Sequence, residues 1–466
     1  METHRPNIVF YFSDQQRWDT IGCYGQKLNV TPNLDKLADD GVIFEEAYTA
    51  QPVCGPCRAI FQSGQYPTSI GCFRNNQPLP LNIKTLADYF SEAGYETAYV
   101  GKWHLASEGE LEQKPYLDFQ HSPVPLERRG GYKGFWRASD VLEFTSHGYD
   151  GYVFDQHGNR LDFKGYRADC ITDYGLEFIN SYNGEKPFFL TISHIEPHHQ
   201  NDRGCYEGPM GSREQFKDFQ LPGDLEALGG DARQMYPDYL GCCHSLDTNL
   251  GRVIKALKEK ELFEHTVIVY VSDHGSHFRT RNQDSHLNGY DDYKRSCHSA
   301  CLHVPLIISG PGFRGGKRIK ELVSTASLPK TLLAMAGVNV GDKMIGEDLG
   351  LLVNQTSVQR DPYIFAQISE SRVGRCVRTK DYLYSVYAPG LHGGKAGGSD
   401  VYEEEFLYDI KKDPYELNNL IDLPQYQTVC RRLSLLLKEA MKKAGEKEPV
   451  IYPAGTLSGQ KAGQKI

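Results

Sequence analysis

Four runs of the chain are apolar at nearly every position, and they frame the rest of it. Residues 7–13 (NIVFYFS), 187–193 (PFFLTIS), 266–272 (TVIVYVS) and 304–309 (VPLIIS) lack the alternation of a strand with one wet face. Runs of this kind predict strands buried on both faces, as in a parallel sheet. Residues 42–48 and 96–100 read as further strands. Between them, apolar positions recur at helical spacing over 31–41, 83–94, 166–182, 235–262 and 322–336, and several of these segments close on a glycine. Thr31 is placed to cap the first helix. Residues 107–165 and 201–230 show neither period. They read as irregular insertions over the sheet, and long loops of that kind usually carry function.

After about residue 361 the texture changes. Short alternating runs at 376–379, 382–387 and 405–410 predict an antiparallel sheet. An amphipathic helix over 424–443 follows, and the Gly- and Lys-rich tail reads as disordered. The pattern gives an α/β domain over 1–355, with a large mixed, mostly parallel sheet flanked by helices. A smaller α+β subdomain over 356–453 and a flexible tail over 454–466 complete the chain.

The ends of the buried runs carry the candidate chemistry. Four strands deliver Asp14-Gln15, Lys102 and His104, His198, and Asp273-His274, and a later loop adds Lys294 and His298. In a doubly wound sheet such ends share one edge, so these residues converge. Each alone has an ordinary reading: Asp14 and Asp273 as turn caps, His198 in a solvated loop, the lysines as surface charge. Their joint recurrence at strand ends is harder to assign to chance. Asp14, Asp273 and a Gln or His offer hard oxygen and borderline nitrogen donors, which suit calcium, magnesium or manganese better than a thiolate zinc site. Lysines and an arginine gathered around a cation require an anionic substrate, and histidines remain to move protons. The reaction class is metal-assisted transfer of a sulfuryl or phosphoryl group.

Composition narrows this reading without redirecting it. The chain has 466 residues, 39% hydrophobic and 24% charged, with a net charge of −9. That balance speaks against a general nucleic-acid partner, and no window approaches a membrane span. Twelve cysteines scattered through so large a chain predict mostly reduced thiols. Residues 1–6 show no basic-then-apolar export segment, so the expected location is the cytoplasm, or the periplasm or exterior if such a segment has been removed.

One stretch stays ambiguous on these grounds. Residues 51–71 (QPVCGPCRAIFQSGQYPTSIG) place Cys54 at the mouth of a helix with Arg58 one turn on. Helix amides and a guanidinium would favour an anion there. The same Cys-Gly-Pro-Cys also serves thioredoxin-type redox chemistry, and Cys-x-x-Cys pairs bind zinc.

The blocks taken together resemble the type I sulfatases of the alkaline phosphatase superfamily. Cys54-Gly55-Pro56-Cys57-Arg58 matches the family's Cys-x-Pro-x-Arg, continued by Ala59, Gly64-Gln65-Tyr66-Pro67 and Gly71. Asn7-Ile8-Val9 with Asp14, Gly22-Cys23-Tyr24-Gly25, Gly101-Lys102-Trp103-His104, Pro197-His198, Ser272-Asp273-His274-Gly275 and Lys294 with Val304-Pro305 follow in the family's order. So do Leu407-Tyr408-Asp409, Asp413-Pro414 and Glu416-Leu417-Asn418-Asn419-Leu420.

The resemblance implies an alkaline phosphatase-like fold and hydrolysis of a sulfate monoester. It implies that Cys54 is converted by a maturation enzyme to formylglycine, whose hydrate is the nucleophile. One divalent metal, calcium in preference to manganese, would be held by Asp14, Gln15, the modified Cys54, Asp273 and His274. Arg58 and Lys102 would hold the hydrate and the sulfate, and His104 would be the base that breaks down the sulfo-enzyme. His198 and Lys294 would serve the leaving oxygen and the sulfate, with His298 nearby. Gln15 and His274 stand where many sulfatases have Asp and Asn, which keeps a phosphonate monoester or phosphodiester hydrolase as the alternative. The expected substrate is a sulfated sugar, small or oligomeric, ahead of an aryl or steroid sulfate. Tyr132, Phe135, Trp136, Arg137 and His147 are candidates to line its pocket. Nucleic acid and membrane are not expected partners.

Overall fold

A computed structural model describes residues 5–109, 116–281, 293–356 and 360–459. Among the described residues, eleven strands form one sheet. In chain order they are β1 (Asn7–Ser13), β2 (Val42–Tyr48), β3 (Glu96–Lys102), β4 (Phe135–Ser139), β5 (Ser146–His147), β6 (Asp150–Asp155), β7 (Arg160–Lys164), β8 (Phe188–Ser193), β9 (Thr266–Ser272), β10 (Leu306–Ser309) and β11 (Lys317–Ser324). Their spatial order is β11-β2-β10-β9-β1-β8-β3-β4-β6-β5, with β7 beside β6. The centre, β9-β1-β8-β3-β4, is parallel throughout.

Both faces of that centre are covered, which is why its sequences are continuously apolar. Ile8, Phe10 and Phe12 of β1 face one core with Val267, Val269 and Val271 of β9. The helices Cys54–Ser63, Leu86–Glu92 and Leu328–Met335 close that side. Val9 and Tyr11 face the opposite core, under the helices Pro32–Asp40, Arg167–Ser181 and Ala232–Glu259. A second, antiparallel sheet runs β12 (Tyr363–Ile368), β13 (Gly374–Thr379), β14 (Tyr382–Tyr387) and β15 (Val401–Asp409), with β16 (Val450–Tyr452) added parallel to β15. The helix Gln427–Lys443 packs on one side of it. On the other, Ile364, Ala366 and Leu383 meet Tyr48 of β2 and Leu302. No helix among the described residues is long and apolar enough to cross a membrane.

Several expectations need correction. Residues 107–165 are not simply irregular: β4 to β7 extend the main sheet there. The antiparallel β6 and β7 are half exposed and carry Arg160, Asp162 and Lys164, which hides their period. The segment 322–336 is not one helix. It begins as the end of β11, turns at Thr325–Ser327, and becomes helical at Leu328. β11 escapes notice because it is an edge strand, and charged edges guard against strand addition. Thr31 makes no side-chain cap. The tail is anchored as far as it is described: Gly455, Leu457 and Ser458 donate backbone N–H to the Glu403 carboxylate at 3.0, 2.5 and 2.9 Å. Residues 460–466 lie outside the described residues.

Candidate active site and metal centre

The four strands that deliver the candidate residues are immediate neighbours, in the order β9-β1-β8-β3. Each runs parallel, so their carboxyl ends open on one edge. The ladder continues one step past the strands: Asp273 N–H donates to Ser13 O at 3.2 Å and His194 N–H to Phe12 O at 3.0 Å. The backbone then turns sharply, with Gln15 at φ 70 and His104 at φ 60. Such left-handed conformations are costly outside glycine and concentrate at functional sites. Gly101 permits β3 to approach β8, since a Cβ there would lie 1.9 Å from Ser193 O.

Cys54 opens the helix Cys54–Ser63 and is 1% exposed. Its Sγ lies 3.3 Å from Asp14 Oδ1, 3.3 Å from His274 Nε2 and 3.2 Å from Lys294 Nζ. Lys294 Nζ also reaches His198 Nε2 at 2.8 Å. Lys102 Nζ and Arg58 Nη2 both hold Asp14 Oδ2, at 2.7 and 3.0 Å. Donor atoms of Asp14, Cys54, Asp273 and His274 all lie within 4.8 Å of one another, and all four residues are buried.

The electrostatics follow from this crowding. Burial and the Cys54 thiolate push the Asp14 carboxyl up, but Lys102, His198 and Arg58 overrule them and hold it below the usual carboxylate range. Burial would raise the Cys54 thiol as well; Lys102, Lys294 and His274 instead bring it well below its ordinary value. Burial together with the Asp14 charge pushes Asp273 up. Burial disfavours the His274 imidazolium, yet Asp273 and Cys54 raise it. Asp273 Oδ2 is buried with no hydrogen-bond partner among the described residues. Two carboxylates facing each other, one oxygen orphaned and an imidazole alongside, fit a divalent cation that prefers oxygen donors. Three cations, Arg58, Lys102 and Lys294, are interleaved with the acidic groups of Asp14, Asp273 and Cys54.

Comparison with known proteins decides what this site belongs to. The sulfatase family model matches residues 6–338. The chain belongs to the sulfatase family. Residues 288–443 match a second model, the C-terminal part of N-sulphoglucosamine sulphohydrolase. The sulfatase is 28% identical to the uncharacterized sulfatase YidJ of Escherichia coli, over 94% of this chain and 88% of the relative. It is 27% identical to an ulvan-active sulfatase of Formosa agariphila (96% of this chain, 83% of the relative). Identity is 26% to an N-acetylglucosamine-6-O-sulfatase of Bacteroides thetaiotaomicron (96% and 88%). Among solved structures, one in complex with D-glucosamine-2-N,6-O-disulfate superposes at a TM-score of 0.74 with 22% identity, covering 96% of this chain and 99% of that one. The phosphonate monoester hydrolase of Agrobacterium radiobacter shares the fold at 0.68 and 19%, covering 94% and 96%. Enzymes of this family are sulfuric ester hydrolases that use formylglycine and a divalent metal. The phosphonate hydrolase alternative is not favoured.

The structure brings most candidates of the sulfatase together, though not all in the expected posture. Arg58 is committed to Lys102 O (2.7 Å), Ser193 Oγ (2.7 Å) and Asp14 Oδ2, with its guanidinium 4.8 Å over the Phe12 ring. Like Lys102, it holds the Asp14 carboxylate, beside the hydrate and sulfate it is expected to hold. Gln15 donates its backbone N–H to Asp273 Oδ1 at 3.0 Å, and its amide is engaged with Tyr206, Ser276 and the His199 N–H. His298 is not at the cluster: Nε2 meets Tyr408 of β15 at 3.2 Å. Cys57 is buried in the core with its sulfur 3.4 Å from Thr49 Oγ1. Tyr132 and Trp136 do not line a pocket; both are 0% exposed and pack with Tyr99 and Trp103. Phe135 packs at a tilt against the Phe178 ring and Arg137 pairs with Glu177. His147 sits 3.6 Å from both Asp202 and Glu207.

Sequence reading missed the residues that hold the machinery in place. Asp140 follows β4, and its fully buried carboxylate takes the N–H groups of Leu105, Ala106 and Ser107 at 2.9–3.0 Å and the Ser107 hydroxyl at 2.5 Å. The Asp140 carbonyl accepts the His104 N–H at 2.6 Å. Its position just past a strand end is the same signal that marked Asp14, but β4 itself was not recognised.

Proposed function

We propose that this sulfatase removes sulfate from a sulfated sugar, with Cys54, converted to formylglycine by a maturation enzyme, as the reacting position. The observation that carries the reading is the convergence on Cys54 Sγ of a carboxylate, an imidazole and an ammonium, at 3.2–3.3 Å. The sugar class rests on relatives named as an ulvan-active sulfatase and an N-acetylglucosamine-6-O-sulfatase.

Asp14, Asp273 and His274, with the modified Cys54 and with Gln15 as a further oxygen, would hold the cation. Calcium is preferred over manganese because oxygen donors predominate. When bound, the ion supplies Lewis acidity and charge neutralisation, and the hydrated aldehyde supplies the geminal hydroxyls that let sulfate leave by elimination. The chain's own residues do the rest. Lys102 and Lys294 are buried ammoniums that bind sulfate oxygens as the ester group enters. Lys294 donates to His198 Nε2 in the free site; once it turns to sulfate, the freed Nε2 can take up a proton from solvent and pass it to the leaving alcohol oxygen. Glu143 Oε2 lies 3.8 Å from His198 Nδ1, where its charge would favour the imidazolium. His104, whose Nδ1 is buried with no hydrogen-bond partner among the described residues, takes the proton that frees sulfate. Lys102 and Arg58 keep Asp14 ionised throughout.

Released sulfate measured across a panel of sulfated mono- and oligosaccharides, beside an aryl sulfate and an aryl phosphonate, tests the reading. A sugar sulfate should show the highest kcat/KM. Preference for the phosphonate, or for the aryl sulfate over every sugar, would overturn it.

A further inference from the structure

The second domain reaches into the site through the turn that follows β12. Gln367 N–H donates to Ala50 O at 2.8 Å, Gln51 Nε2 donates to Ser369 Oγ at 2.5 Å, and Ser371 Oγ donates to Arg295 O at 2.9 Å. The strand end is thus stitched along the segment that leads into Cys54. At its tip stands Glu370, 1% exposed and at φ 66, a conformation that strains any residue but glycine. Its carboxylate accepts the backbone N–H of Asn75 and lies 2.5 Å from Arg295 Nε. The Asn75 side chain in turn accepts the Gly55 N–H at 2.9 Å, at the first turn of the helix that presents Cys54. Arg295 follows Lys294 directly, and its N–H donates to Pro52 O at 3.2 Å.

We infer that Glu370 is a positioning residue: one buried carboxylate of the second domain ties together the two loops that set Cys54 and Lys294. It touches neither the reacting atom nor the sulfate. Through Asn75 it fixes the N-terminal turn of the Cys54 helix, and through Arg295 it fixes the backbone on which Lys294 is mounted. A formal charge suits the place, because both partners are donors and the site is desolvated. The second domain is then part of the active-site frame, and the strained φ of Glu370 is the cost of directing its carboxylate there.

The inference rests on Cys54 as the reacting position, and its test has an arm independent of turnover. In Glu370→Ala, kcat should fall roughly ten- to hundredfold with KM little changed, as for a small misplacement of reacting groups. Glu370→Gln keeps an acceptor for the Asn75 amide and should recover most of the loss. Asn75→Ala should lower kcat similarly, and the double variant should be no worse than the worse single one. Independently, in protein whose Cys54 is unconverted, site-resolved mass spectrometry should show Cys54 alkylated by iodoacetamide several-fold faster in Glu370→Ala. Unchanged kcat and unchanged alkylation would overturn the inference, as would effects of the two single variants that multiply. A kcat loss matched by incomplete Cys54 conversion or a collapsed melting temperature would assign Glu370 to folding alone. Should the alanine variant not fold, Asn75→Ala still decides: normal Cys54 alkylation with wild-type kcat in Asn75→Ala would refute the tie. An alkylation effect without any sugar-sulfate turnover would instead sink the substrate assignment and leave the positioning intact.

Discussion

Asp140→Asn isolates how the site is braced, because it changes one atom and leaves the shape alone. In the folded protein one carboxylate oxygen takes the amides of Leu105 and Ala106, and the other takes the amide and hydroxyl of Ser107. The variant keeps an oxygen for one pair but turns an NH2 toward the other. The Ser107 hydroxyl can rotate and accept; its backbone N–H cannot, and a buried donor left unpaired costs about 1–3 kcal/mol. The remaining bonds fall from charge-assisted to neutral, roughly half as strong, so the total is about 2–5 kcal/mol. The loosened loop carries His104, whose amide is held by the Asp140 carbonyl. Urea denaturation followed by tryptophan fluorescence should show the stability loss, and kcat should drop about tenfold or more with KM nearly constant. A variant that unfolds at the wild-type midpoint and keeps wild-type kcat would refute the bracing argument outright.

Other outcomes follow from the same geometry. Chelation should abolish activity and lower the melting temperature, with calcium restoring both; at about a hundred times Kd the ion adds about 2.7 kcal/mol of stability. Asp273→Asn should cut activity at least about a hundredfold and blunt the stabilisation by calcium. His303, between Trp18 and Tyr48 at 4.2 and 4.8 Å, is depressed by burial from 6.5 to about 4. Its folded value lies below its unfolded one, so its contribution is complete above pH 6.5 and lost as pH falls toward 4, about 3 kcal/mol in all. The acid slope of a denaturation midpoint should therefore flatten in His303→Phe. Gly101→Ala forces a Cβ to within 1.9 Å of Ser193 O in the central sheet and should yield insoluble protein, where Gly134→Ala, facing only Thr97 O at 3.0 Å, should not.

The central strands were legible because burial on both faces writes an unbroken apolar run, and their ends were legible because Asp, Lys and His stand out immediately after such runs. That was enough to assemble Asp14, Lys102, His198 and Asp273 on one edge before any coordinates. β6, β7 and β11 were not legible: they are edge or half-wet strands whose charged residues face solvent. The pairing of Arg58 with Asp14 was not legible, because its place in the motif gave no view of a carboxylate 44 residues away. Glu370 left no signal at all, and Asp140 only its place just past β4, a strand the pattern hid. A carboxylate that binds backbone amides looks, in sequence, like any other acidic residue, and its partners at 105–107 or at 75 are unremarkable too.

The burial of Cys54 also has a timetable. The helix that starts at Cys54 is made early, but the elements that wall it in, His198 after β8, His274 after β9 and Lys294 beyond, come much later in the chain. About 220 residues separate Cys54 from His274, which at ordinary rates of synthesis is about 10–45 s. For that interval the sulfur is on an unfinished surface; afterwards it is 1% exposed and enclosed by charge. If a maturation enzyme converts this cysteine, as proposed, it would work against a clock set by translation, and slowing the release of the last central strand would lengthen its opportunity.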